Sequence, residues 1–206
     1  MNGFFITFEG IEGCGKSTQV ALLKKRLEIE GRKVLVTREP GGTTTGELVR
    51  SVLLDPANTS ITSLTELLLY AAARAQHVDE RIRPALDSGA IVVCDSFADS
   101  TTAYQGAGRA IERGIIKQIH DIATRGTWPD LTILLDLPAE AGLERAHAVR
   151  EVDRIESEPI AFHRAVRNEF LRIAEHDPLR VRRVDATQTV DAIAEAVWRI
   201  VEPLLP

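Results

Sequence analysis

"GIEGCGKS", Gly10–Ser17, fits the pattern G-x-x-x-x-G-K-[ST] at every fixed position. Glycines let a backbone curl until several N–H groups point into one concavity, and a following helix adds partial positive charge from its N-terminus. Such a cradle needs a strand before it and a helix after it, and both are present. "FFITFE", Phe4–Glu9, is a continuous apolar run; Val20, Leu23 and Leu27 then fall at helical spacing until Gly31 stops the helix. Gly10, Ile11, Glu12, Gly13, Cys14, Gly15, Lys16 and Ser17, with Thr18 beyond them, are therefore the candidate site for nucleotide phosphates. Lys16 is expected to reach the terminal phosphates and the Ser17 hydroxyl to bind Mg²⁺. The loop's donors and Lys16 are expected to favour the Cys14 thiolate, which bound nucleotide would shield from alkylation. A small loop filler is the plainer role for Cys14. Glu12 has no use against anionic phosphates; it can accept a hydrogen bond from an acceptor hydroxyl or hold a metal-bound water.

Outward from the loop, apolar runs alternate with helical patterns. "KVLVT" (Lys33–Thr37), "AIVVCD" (Ala90–Asp95), "LTILLDLP" (Leu131–Pro138) and a short run near Val181–Val184 read as strands. "GELVRSVLLD", "LTELLLYAAARAQHVDERIRPAL" and "VDAIAEAVWRIVEPLL" read as helices. This is an α/β chain with a P-loop NTPase fold: a five-stranded parallel sheet with helices on both faces. One domain spans residues 1–206. The polar stretch Glu144–Pro159 is either a solvated helix or a mobile cover.

Composition narrows the partners. The 206 residues carry 25 basic and 30 acidic side chains, a net charge of -5, which argues against a nucleic-acid backbone as partner. Cys14 and Cys94 are the two cysteines and lack metal-ligand spacing, which suggests a reducing cytosol and a cytoplasmic protein. No apolar segment approaches the roughly 20 residues of a membrane helix, so no membrane is expected. The five histidines show no metal spacing, and His77 and His120 read as surface or interhelix groups.

The P-loop classes can be sorted further. No N-K-x-D guanine motif is present, and "VVCDS" and "ILLDLP" each end in one acid rather than the pair of a motor ATPase. A small kinase remains, moving a phosphoryl group onto a small acceptor. If the acceptor is itself a phosphate, a second cationic site is needed. "TREPGGT", Thr37–Thr43, puts Arg38 at the ligand-binding edge of a parallel sheet, with Pro40 stiffening the turn. Arg50 follows one helix on. Tyr70 and Arg74 stand at i and i+4, a ring and a guanidinium suited to a flat base, although such a pair alone is often surface packing.

"FEGIEGCGKSTQ", "TREPGGT", "ELLLYAAARAQHV", "CDSFADSTTAYQGAGRAI", "WPDLTILLDLP", "DRIE" and "VDATQTVDAI" together resemble the bacterial thymidylate kinases, in order and over nearly the whole length. The resemblance implies ATP-dependent phosphorylation of dTMP to dTDP with Mg²⁺, a flexible lid of about residues 142–158, and a homodimer. It implies Tyr70 stacked on thymine, with Arg74, Thr101 and Gln105 about the base. Arg38 and Arg50 would lie near the acceptor phosphate, and Glu12 near the sugar 3′-hydroxyl. Tyr104 would crowd the 2′ position, which favours deoxyribose. Thr187 and Gln188 would hold adenine, with Arg145 against it. Gly13, Cys14 and Gly15 leave no room for a P-loop arginine, as in the subgroup whose lid supplies the arginines, here Arg150 and Arg154. Lys16, Glu12 and Asp95 complete the catalytic set, and Ser17 and Asp95 the metal set.

The family pattern at Asp95-Ser96-Phe97 is Asp-Arg-aromatic, and Ser96 stands where the arginine is expected. A serine cannot supply a permanent bidentate charge. A kinase for another nucleotide, and a weakly active or non-catalytic nucleotide-binding module, are the alternatives this leaves.

Overall fold

The computed structural model describes residues 3–149 and 151–206. Five strands form one parallel sheet: β1 (Phe4–Glu9), β2 (Val34–Arg38), β3 (Ile91–Asp95), β4 (Leu131–Asp136) and β5 (Val181–Asp185), in the order β2-β3-β1-β4-β5. The central strands read as unbroken apolar runs because both their faces are covered; the edge strands β2 and β5 are only partly buried. Ile6 and Phe8 point into a large core with Leu27, Ile133 and Trp198, while Phe5 points to the other face with Ile82, Val92 and Phe97.

Every strand ends on a charged residue at the same edge: Glu9, Arg38, Asp95, Asp136 and Asp185. The register aligns Phe8 and Arg38 with Asp95, and Asp136 with Asp185. Helix α1 (Lys16–Ile29) leaves this edge from β1, with Val20, Leu23 and Leu27 buried as the spacing required. The chain then passes to β2 on one side of β1, while β4 lies on the other. Ligands of open parallel sheets bind where the strand order reverses in this way.

Two expectations shift in detail. The segment read as one helix over 64–86 is α3 (Ser63–His77), a π-helical turn at Val78–Ile82 and α4 (Arg83–Asp87). Pro84 has no N–H for the α-helical ladder and its ring crowds the carbonyl four residues back, so the turn before it widens. The fourth strand stops at Asp136, because Pro138 caps α7 (Ala139–His147). The polar stretch Glu144–Pro159 is helical as far as His147, and a turn over residues 154–157 precedes α8 (Ile160–His176).

The remaining helices are α2 (Thr44–Leu54), α5 (Ala98–Thr101), α6 (Arg113–Thr124) and α9 (Val190–Val201); a second π-helical segment, Thr102–Gly108, follows α5. Among the described residues no helix is long and apolar enough to cross a membrane.

Candidate active site

The loop after β1 caps α1 with Gly15 in the left-handed region, φ 96°. Gly13 is also left-handed, and a Cβ there would run into the carbonyl of Gly142 on α7. The segment expected to cover the site thus touches the loop backbone to backbone. Lys16 Nζ donates to the carbonyls of Gly10 (2.7 Å) and Ile11 (3.0 Å). Burial disfavours the ammonium, but Cys14, Asp95, Glu12 and Glu9 outweigh it and raise its pKa, so it stays protonated.

Ser17 Oγ donates to Asp95 Oδ2 at 2.7 Å. A hydroxyl from the start of α1 and a carboxylate from the end of β3 therefore converge beside Lys16. Hard oxygen donors of this kind suit Mg²⁺, which usually takes one or two protein ligands and fills the rest with phosphates and water. Among the described residues no cluster of three or more His, Cys, Asp or Glu side chains offers a fuller metal site.

A cleft of about 520 Å³ opens over this edge. Of the residues singled out in the sequence, Glu12, Gly13, Gly15, Lys16, Ser17, Thr18, Arg38, Pro40, Arg50, Tyr70, Arg74, Asp95, Ser96, Phe97, Thr101, Tyr104, Gln105 and Arg145 line it. Gly10, Ile11 and Cys14 of the same loop are buried and not on this wall. Thr187 and Gln188 are not on its wall; they close a turn on Asp185, and Arg145 reaches the same turn through the Ala186 carbonyl at 3.1 Å.

Arg38, paired with Glu47 at 2.9 Å, and Arg50, which donates to the Pro40 carbonyl at 2.9 Å, stand on the same wall. The Glu39–Pro40 peptide is cis. Arg50 is held below its usual pKa by burial and by the neighbouring Arg38 charge. Two guanidinium groups that disfavour one another across a cleft are relieved by an anion between them.

The Tyr70/Arg74 pair is not surface packing. Arg74 is 1% exposed and uses all three nitrogens: Nε to Glu39 Oε2 (2.8 Å), Nη1 to Thr101 Oγ1 (2.9 Å) and Nη2 to the Phe97 carbonyl (3.0 Å). Glu39 also binds His77 Nδ1 at 2.8 Å, and His77 Nε2 meets Thr37 Oγ1. His77 and His120 are thus buried groups, not surface ones; burial pushes the His120 pKa down to about 3, so that ring is neutral.

Glu12 does not face solvent. Its Oε1 accepts from the Tyr104 hydroxyl at 2.6 Å, and its Oε2 meets His163 Nδ1 at 3.3 Å. Burial works against its charge, yet His163, Tyr104 and Lys16 together hold its pKa below the ordinary carboxylate value. Burial and the Glu12 charge push the Tyr104 phenol well up, so it stays a neutral donor.

Two expectations fail. Cys14 is 2% exposed, and burial raises its thiol pKa against the pull of Lys16. It is a loop filler, and alkylation should be slow with or without nucleotide. Arg154 is 8% exposed and is not on the cleft wall: it donates to the Leu53 carbonyl at 2.7 Å and pairs with Glu66 at 2.7 Å. The structure does not bring it to the phosphate loop. Arg150, the other lid arginine of the sequence reading, lies outside the described residues.

Several contributors escaped the sequence reading. Glu66, 1% exposed, gathers Arg109, Arg154 and the Gln105 amide, which together outweigh burial and lower its pKa. Glu9 accepts from Phe97 N (2.8 Å) and Ser100 Oγ (2.5 Å) and so braces the turn at Ser96, while burial and Asp99 push its pKa up to about 8. Acids at the end of a strand or in the first turn of a helix were the available signal, but their partners are distant in the chain.

A phosphate loop at the switch point of a parallel sheet, sharing one cleft with a second pair of cations, defines a P-loop phosphotransferase with two anionic ligands. A sequence profile described as thymidylate kinase matches residues 8–197. The chain is 52% identical to the thymidylate kinase of Thermomicrobium roseum over 98% of this chain and 96% of that one. It is 52% identical to that of Trichlorobacter lovleyi, over 94% and 96%. The crystal structure of thymidylate kinase from Ehrlichia chaffeensis superposes with a TM-score of 0.81 at 34% identity, covering 98% of this chain and all of that one. The chain belongs to the thymidylate kinase family; it is a kinase that phosphorylates dTMP to dTDP, with ATP as donor. The other-nucleotide and non-catalytic readings are not favoured.

Proposed function

We propose that ATP lies with its phosphates over residues 10–18 and its adenine towards Arg145, Thr187 and Gln188. dTMP would enter from the opposite end, its phosphate between Arg38 and Arg50, its base against Tyr70 and near Arg74, Thr101 and Gln105. The observation that carries this reading is that Lys16, Ser17 and Asp95 line the same cleft as the cations Arg38 and Arg50. An acceptor phosphate is already an anionic nucleophile and needs no strong base, so transfer would be direct, governed by positioning and charge. Ser17 and Asp95 would hold Mg²⁺, which supplies charge neutralisation at the donor phosphates. The segment of about 142–158 would act as a lid, within a single domain spanning 1–206. ADP release coupled to a panel of nucleoside monophosphates tests the reading; turnover with dTMP no greater than with the other acceptors would end it.

Tyr104 is the proposed deoxyribose gate. Its hydroxyl is fixed by Glu12 and its ring by Phe162 and Phe170, each with a centroid separation of 6.1 Å, so it has little freedom to yield to a 2′-hydroxyl. Tyr104→Ala is expected to raise use of UMP relative to dTMP by about tenfold, the scale of a small steric discrimination. An unchanged ratio in steady-state kinetics would refute the gate.

A homodimer and a cytoplasmic setting complete the proposal. Leu48 and Val52 on α2, Leu64 and Leu68 on α3, and Ile115 and Ile122 on α6 are exposed apolar side chains on mutually packed helices, which supports a second copy as their cover. Sedimentation velocity should give twice the chain mass; a monomer at micromolar concentration would contradict it. The two free, buried thiols suit the reducing cytoplasm.

A further inference from the structure

We propose that His163 is a positioning residue for the phosphoryl acceptor: it holds the Glu12 carboxylate in the orientation that receives the sugar 3′-hydroxyl. The inference rests on the expectation, carried by the resemblance to the thymidylate kinases, that Glu12 lies near the sugar 3′-hydroxyl. His163 sits in the first turns of α8, its side chain fully buried, with Nδ1 3.3 Å from Glu12 Oε2. The other carboxylate oxygen is bound by the Tyr104 hydroxyl. Glu12 is thus gripped from two elements far away in sequence, the π-helical segment and α8.

The grip has a physical purpose. A carboxylate in a phosphate loop is repelled by the bound anions and attracted to Lys16, whose ammonium is held charged partly by Glu12 itself. Free to rotate, Glu12 would move towards that ammonium, weakening the cation meant for the phosphates and abandoning the acceptor sugar. A donor behind the carboxylate prevents this. Nδ1–H of His163 supplies it, and Glu12 in turn favours the protonated ring, against burial. The adjacent Phe162 packs on the Tyr104 ring and edge-on against His163, with centroids 5.3 Å apart. Two consecutive residues of α8, the helix that follows the proposed lid, therefore set both Glu12 and its second partner.

The test compares dTMP with 3′-deoxy-dTMP, which lacks the group that Glu12 would receive. His163→Phe keeps a ring but no donor. It is expected to lower kcat/KM for dTMP by about tenfold, the effect of misplacing one charge-assisted hydrogen bond, and to leave 3′-deoxy-dTMP within about twofold. His163→Asn, whose amide reaches near the Nδ1 position, should recover most of the loss. Should the phenylalanine variant not fold, His163→Gln, which moves the donor away from Nδ1, carries the same comparison. Equal losses on both acceptors, or no loss on either, overturn the role of His163. If the wild-type protein itself does not distinguish the two acceptors, the reading of Glu12 falls, and the His163 proposal with it.

Discussion

Lys16→Ala is expected to lower kcat by about 10²–10³-fold, the range found when one preorganised charge-stabilising donor is removed. Its ammonium now spans the carbonyls of Gly10 and Ile11, close to the Ser17–Asp95 pair. In that position it is part of the loop and also the cation nearest to where donor phosphates would lie. Phosphoryl transfer involves little covalent work by the protein, so a charge placed on the departing group carries much of the rate. Lys16→Arg should rescue poorly: a planar fork cannot fill the pocket that a compact ammonium fills. Steady-state kinetics with thermal melts as a folding control decide the matter. Near-normal turnover in the alanine variant would remove the phosphate loop from the chemistry.

The parts of the site that could be read from sequence are those carried by local backbone. The glycine loop, the strand before it and the helix after it form one continuous segment, so Gly10–Ser17 announced itself. Arg38 and Asp95 were legible for a related reason: a charge that closes an apolar strand must lie at the sheet edge. What stayed hidden depends on contacts distant in the chain. Tyr104 reaches Glu12 across 92 positions and His163 reaches it across 151, and no spacing rule connects them. Arg74 looked like half of a weak i,i+4 pair, because nothing in α3 reveals that Glu39, Thr101 and Phe97 close around it. Arg154 was read as a lid cation through the resemblance to the lid-arginine subgroup; its partner here, Glu66, belongs to α3. For Cys14 the loop-filler role held, whereas the expected thiolate did not: the cationic surroundings were visible, and the burial that outweighs them was not.

Ser96→Arg is expected to raise kcat on dTMP by about 10²-fold, at the lower end of the range for one such donor because Lys16, Arg38 and Arg50 already share the charge. Ser96 lines the same cleft as Lys16, Arg38 and Arg50. Its backbone is left-handed, φ 68°, and is pinned there by Ser96 N donating to the Phe8 carbonyl at 2.9 Å and by the Glu9 brace on Phe97. That conformation costs any non-glycine residue about 1–2 kcal/mol, and serine already bears the cost, so arginine adds no new backbone strain. The serine side chain contributes only a 3.2 Å hydrogen bond to Asp95 Oδ1, which a guanidinium would replace with a charge-assisted one. Asp95 would then orient the new cation, while its other oxygen keeps the Ser17 hydroxyl. A rise in kcat with little change in KM for dTMP would mean that the charge acts on the group in flight; a fall in KM alone would mean that it acts on the bound acceptor. No gain in either, with dTMP affinity intact by calorimetry, would show that the remaining cations already suffice.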